Sequence, residues 1–234
     1  MQKKPVEKGQ KKQYKYLDLI LCLAVAMIII SNTTAAKITQ LSIFTVSVTV
    51  LYFPFTYIFG DLLTEVYGYK QARRATWILI FVQLLTAIIY QLVVFLPPAS
   101  GFNGNEAFAL VFGQAPRIVI GGLIALFTGQ FVNDFIMAKM KLVTNGKYLW
   151  TRTIGSTIAG QFFDTTLFYT IALSNVIPTG LLIQAVLSGW FLKSLVETVM
   201  TPATYIVVRK LKKIENEDYY DRDTNFNPLI FQVK

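Results

Sequence analysis

The sequence predicts an all-α polytopic integral membrane protein of six transmembrane helices, with both termini cytoplasmic. Three observations carry that reading. The 234 residues are 54% hydrophobic and only 15% charged, with a mean hydropathy of +0.50, whereas soluble domains carry about 25% charge. The charges are clumped, and the stretches between clumps approach the roughly 20 residues that a helix needs to cross a bilayer. Lys and Arg gather at every second junction between those stretches, as they do in cytoplasmic loops.

The spans read, in order, 17–36, 43–66, 75–96, 117–139, 153–175 and 181–208. The first follows Lys3, Lys4, Lys8, Lys11, Lys12 and Lys15. Its uncharged stretch, Leu19 to Ala36, is too long for a signal-peptide core, so it is read as a retained span. Those six lysines share a side with Lys70, Arg73 and Arg74, with Lys139, Lys141, Lys147 and Arg152, and with the tail that begins Arg209, Lys210, Lys212, Lys213. The opposite side holds only Lys37 and Arg117. The chain divides accordingly into a basic cytoplasmic segment (1–16), a six-helix membrane domain (17–208) and a cytoplasmic tail (209–234). The net charge of +9 is then topological and faces anionic lipid; no nucleic acid is needed to explain it.

Prolines mark the boundaries. Pro97 and Pro98 close the third span, Pro116 opens the fourth, and Pro178 with Gly180 turns the chain after the fifth. Pro54 and Pro202 fall inside spans, where each would free a carbonyl four residues earlier, at Val50 and Thr198. Such carbonyls are tolerated against protein or a wet cavity; a packing kink is the plainer reading. The loop 97–116 is expected to be mobile. The acidic tail from Glu215 is expected to be loosely ordered and to rest on the basic loops. There is no His and a single cysteine, Cys22, so disulfides, zinc and haem ligation are not expected. No GxxxxGK[ST] loop occurs, and no metal or cofactor is expected.

Ionisable groups within spans usually face a bundle interior or water. Here they are Asp61, Glu65, Asp134, Asp164, Lys193 and Glu197. Pro54, Tyr57, Asp61, Glu65 and Gly68 share one helical face, as do Gln130 with Asp134 and Gln161 with Asp164. Five acids against one lysine must pair, take up protons or meet a cationic or donor-rich ligand. Plainer roles exist for several: Glu65 as an interfacial carboxylate, Lys193 with Glu197 as a local pair, Asp134 as an anchor near Lys139. Asp164 has no charged residue near it in sequence and fits no such role. Asn32 belongs to a polar patch, 31–34, toward the outer end of the first span. Gly155 with Ala159, and Ser156 with Gly160, let another helix approach closely. Phe55, Tyr57, Phe131 and Phe162 lie beside these polar residues and could stack a flat ligand. The triplet GQF recurs at 129–131 and 160–162, but neighbouring spans run antiparallel, so it is not read as a repeat.

Ser31–Asn32, the stretch FPFTYIFGDLLTEVYG at 53–68 followed by ARR at 72–74, GQFVND at 129–134, the Gly155–Asp164 segment and the Lys193–Pro202 segment together resemble the VUT family. The resemblance runs from about 17 to 228. It implies a non-enzymatic carrier in the bacterial inner membrane that imports queuosine precursors, 7-deazaguanine bases bearing a cyano or aminomethyl group. Their N–H donors would suit carboxylates and amides, and their bicyclic faces would suit aromatic rings. A secondary carrier is expected. The alternative is the substrate-binding subunit of an energy-coupling-factor transporter, which would dock ATPase partners on small residues such as Ser31 and Ala35. An aspartyl intramembrane enzyme using Asp134 and Asp164 is set aside for lack of a protease motif. Homo-oligomerisation is left open.

Overall fold

The computed structural model describes residues 13–34, 37–41, 44–113, 116–175 and 178–230. Helix α1 (Leu17–Thr34) leads into a small antiparallel hairpin, β1 (Ile38–Leu41) and β2 (Phe44–Ser47), registered Ile38 to Ser47 and Leu41 to Phe44. A 3₁₀ turn (Val48–Leu51), helix α2 (Pro54–Leu62) and a π-helical turn (Leu63–Tyr67) follow. Then come α3 (Tyr69–Phe95), α4 (Asn105–Phe112), α5 (Pro116–Val143), α6 (Leu149–Leu173) and α7 (Thr179–Glu215).

The all-helical expectation holds for the body of the protein, with two departures. The expected second span, 43–66, is not one helix. Thr45, Val46, Val48, Thr49 and Val50 are β-branched and disfavour a helix, and Pro54 occupies the first turn of α2, where its missing N–H costs nothing. Pro54 therefore opens a helix instead of breaking one. Pro202 does lie inside its helix, α7. The second departure is the loop 97–116, which contains α4, pinned to α3 through Phe112 and Tyr90, whose ring centroids are 4.5 Å apart.

Among the described residues, four helical stretches are long and apolar enough to cross a membrane: Leu17–Thr34, Tyr69–Phe95, Asn105–Val143 and Thr179–Glu215. With its 25 residues, α6 is long enough, but it is not among the four because its buried face is polar: Thr153, Ser156, Thr157, Gln161, Asp164 and Thr165. The outer surface is the reverse. Phe81, Leu84, Leu85, Ile88 and Leu92 form an exposed apolar stripe along α3, as befits a lipid-facing helix.

The centre is the antiparallel pair α5 and α6. A Cβ placed on Gly129 would lie 3.0 Å from the Gly160 carbonyl, and one on Gly160 would lie 2.9 Å from the Gly129 carbonyl. The two GQF triplets, unremarkable in sequence, therefore meet at this crossing, and their glycines permit it. Helices α7 and α3 flank the pair, and α2 packs against α1, α5 and α7.

The acidic tail is strapped across the basic end of the bundle, a firmer attachment than the loose contact expected. Asp221 accepts the Tyr69 backbone N–H at 3.0 Å. Arg73 donates to the carbonyls of Asn225 and Asn227 at 2.8 and 2.9 Å. Trp77 Nε1 donates to the Pro228 carbonyl at 2.8 Å.

Candidate functional site

The buried acids sort into three environments, and α2 with its π turn explains much of the sorting. A π turn pairs each residue with the fifth along the chain and changes the pitch. Asp61 and Glu65, one turn apart in sequence, consequently serve different neighbours.

Glu65 belongs to an ion cluster at the basic end. It is fully buried and accepts a bidentate pair from Arg152, Nε at 2.8 Å and Nη2 at 2.7 Å. Lys212 also donates to it. Lys141 donates to the backbone carbonyls of Glu65 at 2.6 Å and Tyr219 at 2.7 Å. Asp218 of the tail bridges Lys141 at 2.6 Å and Lys212 at 2.8 Å. Partial burial works to raise the Asp218 carboxyl, but the two ammonium groups outweigh it and hold it below the usual carboxylate range. Three cations and two carboxylates thus satisfy one another.

Asp134 is also fully buried and fully engaged. It accepts from Thr64 at 3.0 Å, Gln130 at 3.1 Å and Thr76 at 3.3 Å. Lys139 lies elsewhere, over the Phe226 ring at 4.1 Å. This arrangement ties α2, α3 and α5 together and occupies Gln130.

The third environment lies between α2, α5, α6 and α7. Lys193 donates to Asp164 Oδ2 at 2.8 Å and lies 4.4 Å from the centroid of the Phe53 ring. It pairs across to α6, and not with Glu197 one turn along its own helix. Glu197 Oε1 accepts from Thr157 at 2.6 Å. Asp61 Oδ1 accepts from Asn133 at 2.9 Å. Further polar atoms here are buried without a hydrogen-bond partner: the acceptors Asp61 Oδ2, Glu197 Oε2 and Asn133 Oδ1, and both the Oε1 and the Nε2 of Gln161, an amide close enough to Glu197 to turn its Nε2 toward it. The hydroxyls of Tyr57, Thr165 and Ser194 are likewise unpartnered. Tyr57 inserts into the glycine crossing: a Cβ on Gly129 would stand 2.8 Å from its hydroxyl and 2.7 Å from Asp164 Cβ. Each unpaired buried polar group costs about 1–3 kcal/mol. Such a group of acceptors is complementary to a ligand rich in N–H donors.

The aromatic candidates divide. Tyr57 is in this site. Phe55 packs on the apolar cluster of Ile58, Leu62 and Val66. Phe131 meets Phe127 at 4.8 Å and Trp77 at 6.2 Å on the α3 side. Phe162 is 42% exposed and edge-to-face with Trp190 at 5.6 Å. Asn32 lines a separate cavity with Gln83 and Tyr90. Residues that sequence reasoning passed over include Asn133, Thr157 and Arg152. Asn133 stood beside Asp134 in GQFVND, yet a neutral amide next to an acid drew no notice. Arg152 was read only as a topological charge.

A bundle with apolar flanks, several membrane-crossing helices and a buried polar interior is the architecture of a multi-pass membrane transporter. Residues 47–207 match the family described as "Putative vitamin uptake transporter", and the chain belongs to that family, as the resemblance implied. Two curated relatives are both named "Probable queuosine precursor transporter". The one from Bacillus subtilis (strain 168) is 28% identical over 156 residues, covering 66% of this chain and 68% of the relative. The one from Haemophilus influenzae (strain ATCC 51907 / DSM 11121 / KW20 / Rd) is 26% identical over 123 residues, covering 52% of this chain and 49%, about half, of the relative. No solved structure matches. The family match spans Asp61, Glu65, Asp134, Asp164 and Glu197, and ends before Asp218 of the tail.

Proposed function

We propose that this protein imports queuosine precursor bases, 7-cyano- or 7-aminomethyl-7-deazaguanine, across the bacterial inner membrane as a secondary carrier. The observation that carries the reading is the set of partnerless acceptors on Asp61, Asn133, Gln161 and Glu197, buried beside the Lys193–Asp164 pair. A guanine-like edge presents adjacent N–H and NH₂ donors, which a carboxylate accepts in a bidentate pair. Tyr57 supplies a ring at the same place. In this reading the chain crosses the membrane six times, with α1, the stretch from the 3₁₀ turn through α2 and the π turn (48–67), α3, α5, α6 and α7 as the passes. The ion cluster around Glu65 closes the cytoplasmic end, and both termini lie there.

The names of the relatives support the substrate class, and nothing in the comparisons favours the energy-coupling-factor alternative. The test is competition uptake of labelled deazaguanine in cells that express this chain alone and lack energy-coupling-factor partners. Saturable uptake, displaced by both unlabelled deazaguanines, is the expected result. Absence of uptake from properly inserted protein would overturn the carrier reading.

A further inference from the structure

Apart from the acid site, a cavity of about 90 Å³ lies among α1, α3, α5 and α6, with Phe112 of α4 contributing to its wall. Its polar lining is amide and hydroxyl: Asn32, Gln83, Gln91, Thr86 and Tyr90. No carboxylate, ammonium or guanidinium group lines it among the described residues. Gln83 Oε1 is buried without a protein partner. Tyr90 is held in place by Thr33 at 2.7 Å and by the Phe112 ring, so the aromatic wall is braced. Gly122 keeps one side open; a Cβ there would stand 3.3 Å from Gln83 Nε2.

The cavity continues the line of the acid site. On α5, Gly122 precedes Gly129 by two helical turns, roughly 10 Å. On α6, Phe168 follows Asp164 by one turn. At roughly 10–15 Å³ per water-sized group, its volume of about 90 Å³ holds about six to nine such groups, enough for the lactam ring of a bicyclic base to enter it. An uncharged lining offers nothing special to a cation. A side-chain amide, however, matches a lactam edge with one donor and one acceptor, as glutamine does on a nucleobase, and the neighbouring rings offer stacking faces.

The geometry points to a second binding station, which takes a neutral, planar, lactam-bearing heterocycle through Gln83 and passes it to the acid site. This rests on the transport reading above and adds a stop on its path. Recognition is divided: the amide station reads the ring, and the acid site reads the donor edge and any positive charge.

The test uses purified protein in lipid nanodiscs with labelled 7-cyano-7-deazaguanine as the probe. Asp61→Asn with Glu197→Gln should weaken binding but leave a residual component, and adding Gln83→Leu should remove it. In uptake by cells that express otherwise wild-type protein, Gln83→Leu should raise KM about tenfold, the loss of one ordinary hydrogen bond, with little change in kcat. Gly122→Val, which fills the cavity and crowds the Gln83 amide, should do the same. Wild-type KM in both single variants would overturn the station, as would an acid-site double variant that binds nothing while wild type binds. A wild-type protein that binds no deazaguanine would overturn the transport reading itself, and the station with it.

Discussion

Asp61 and Glu65 show how two acids on one short segment acquire opposite roles. Glu65 has every acceptor engaged by Arg152 and Lys212, whereas Asp61 keeps one oxygen without a donor. Arg152→Leu leaves a buried carboxylate short of its bidentate partner and should cost about 3–5 kcal/mol of stability, read as a lower unfolding temperature in detergent. Arg152→Lys should recover little, since an ammonium cannot form the fork. Asp61→Asn should behave differently: an amide oxygen still accepts from Asn133, so the unfolding temperature should stay near wild type while uptake falls at least tenfold, the weight of one charge-assisted bond at about 1.5–3 kcal/mol. An Asp61→Asn protein with normal uptake would remove it from the ligand's contacts. That the five acids Asp61, Glu65, Asp134, Asp164 and Glu197 would be buried was legible from their positions in apolar runs. Which of them would be spent on protein was not, because partners such as Thr64, Thr76, Asn133 and Thr157 are neutral and carry no pattern in a sequence.

The α5–α6 crossing makes a sharper demand. Its glycines approach one another's carbonyls so closely that a methyl group at either must push the helices apart or displace Tyr57. Gly160→Ala should cost about 1–3 kcal/mol by overpacking and reduce uptake more than Gly155→Ala, whose added Cβ meets the end of the flexible Met140 side chain at 3.3 Å. Equal effects at the two positions would place the critical contact elsewhere. The small residues of α6 announced a close approach, but the GQF recurrence did not announce that α5 would be the partner. Two triplets in antiparallel helices can share a crossing point while running in opposite directions, and a linear comparison does not register that. The hairpin was missed for a related reason: 43–66 is apolar enough to pass as a span, and hydropathy outweighed the β-branched run before Pro54.

Viewed end to end, the bundle places its ion cluster and its strapped tail together with the basic loops, and its amide-lined cavity toward the other end. Reporter fusions at Lys12 and Lys213 should both report a cytoplasmic location; a periplasmic signal from either would sink the six-pass arrangement. Deleting 217–234 removes Asp218, Asp221 and the carbonyls that Arg73 and Trp77 hold. It should loosen that end, seen as faster hydrogen exchange in 63–74 with the membrane core unchanged. Equal exchange in the two forms would mean that the strap is not structural.

The three carboxyl groups of the central site, Asp61, Asp164 and Glu197, face a single ammonium, that of Lys193. Under the proposed function, an aminomethyl base would enter there as a cation and a cyano base as a neutral molecule. Moving one positive charge inward through 100 mV is worth about 2.3 kcal/mol, roughly a fortyfold concentration ratio at 1.4 kcal/mol per decade. In proteoliposomes with the pH gradient abolished, a potassium diffusion potential, negative inside, should therefore concentrate the aminomethyl base by itself. It should concentrate the cyano base only if a cation accompanies it. Under the proposed carrier role, the charge on the base thus decides whether the cell's voltage alone can drive it inward.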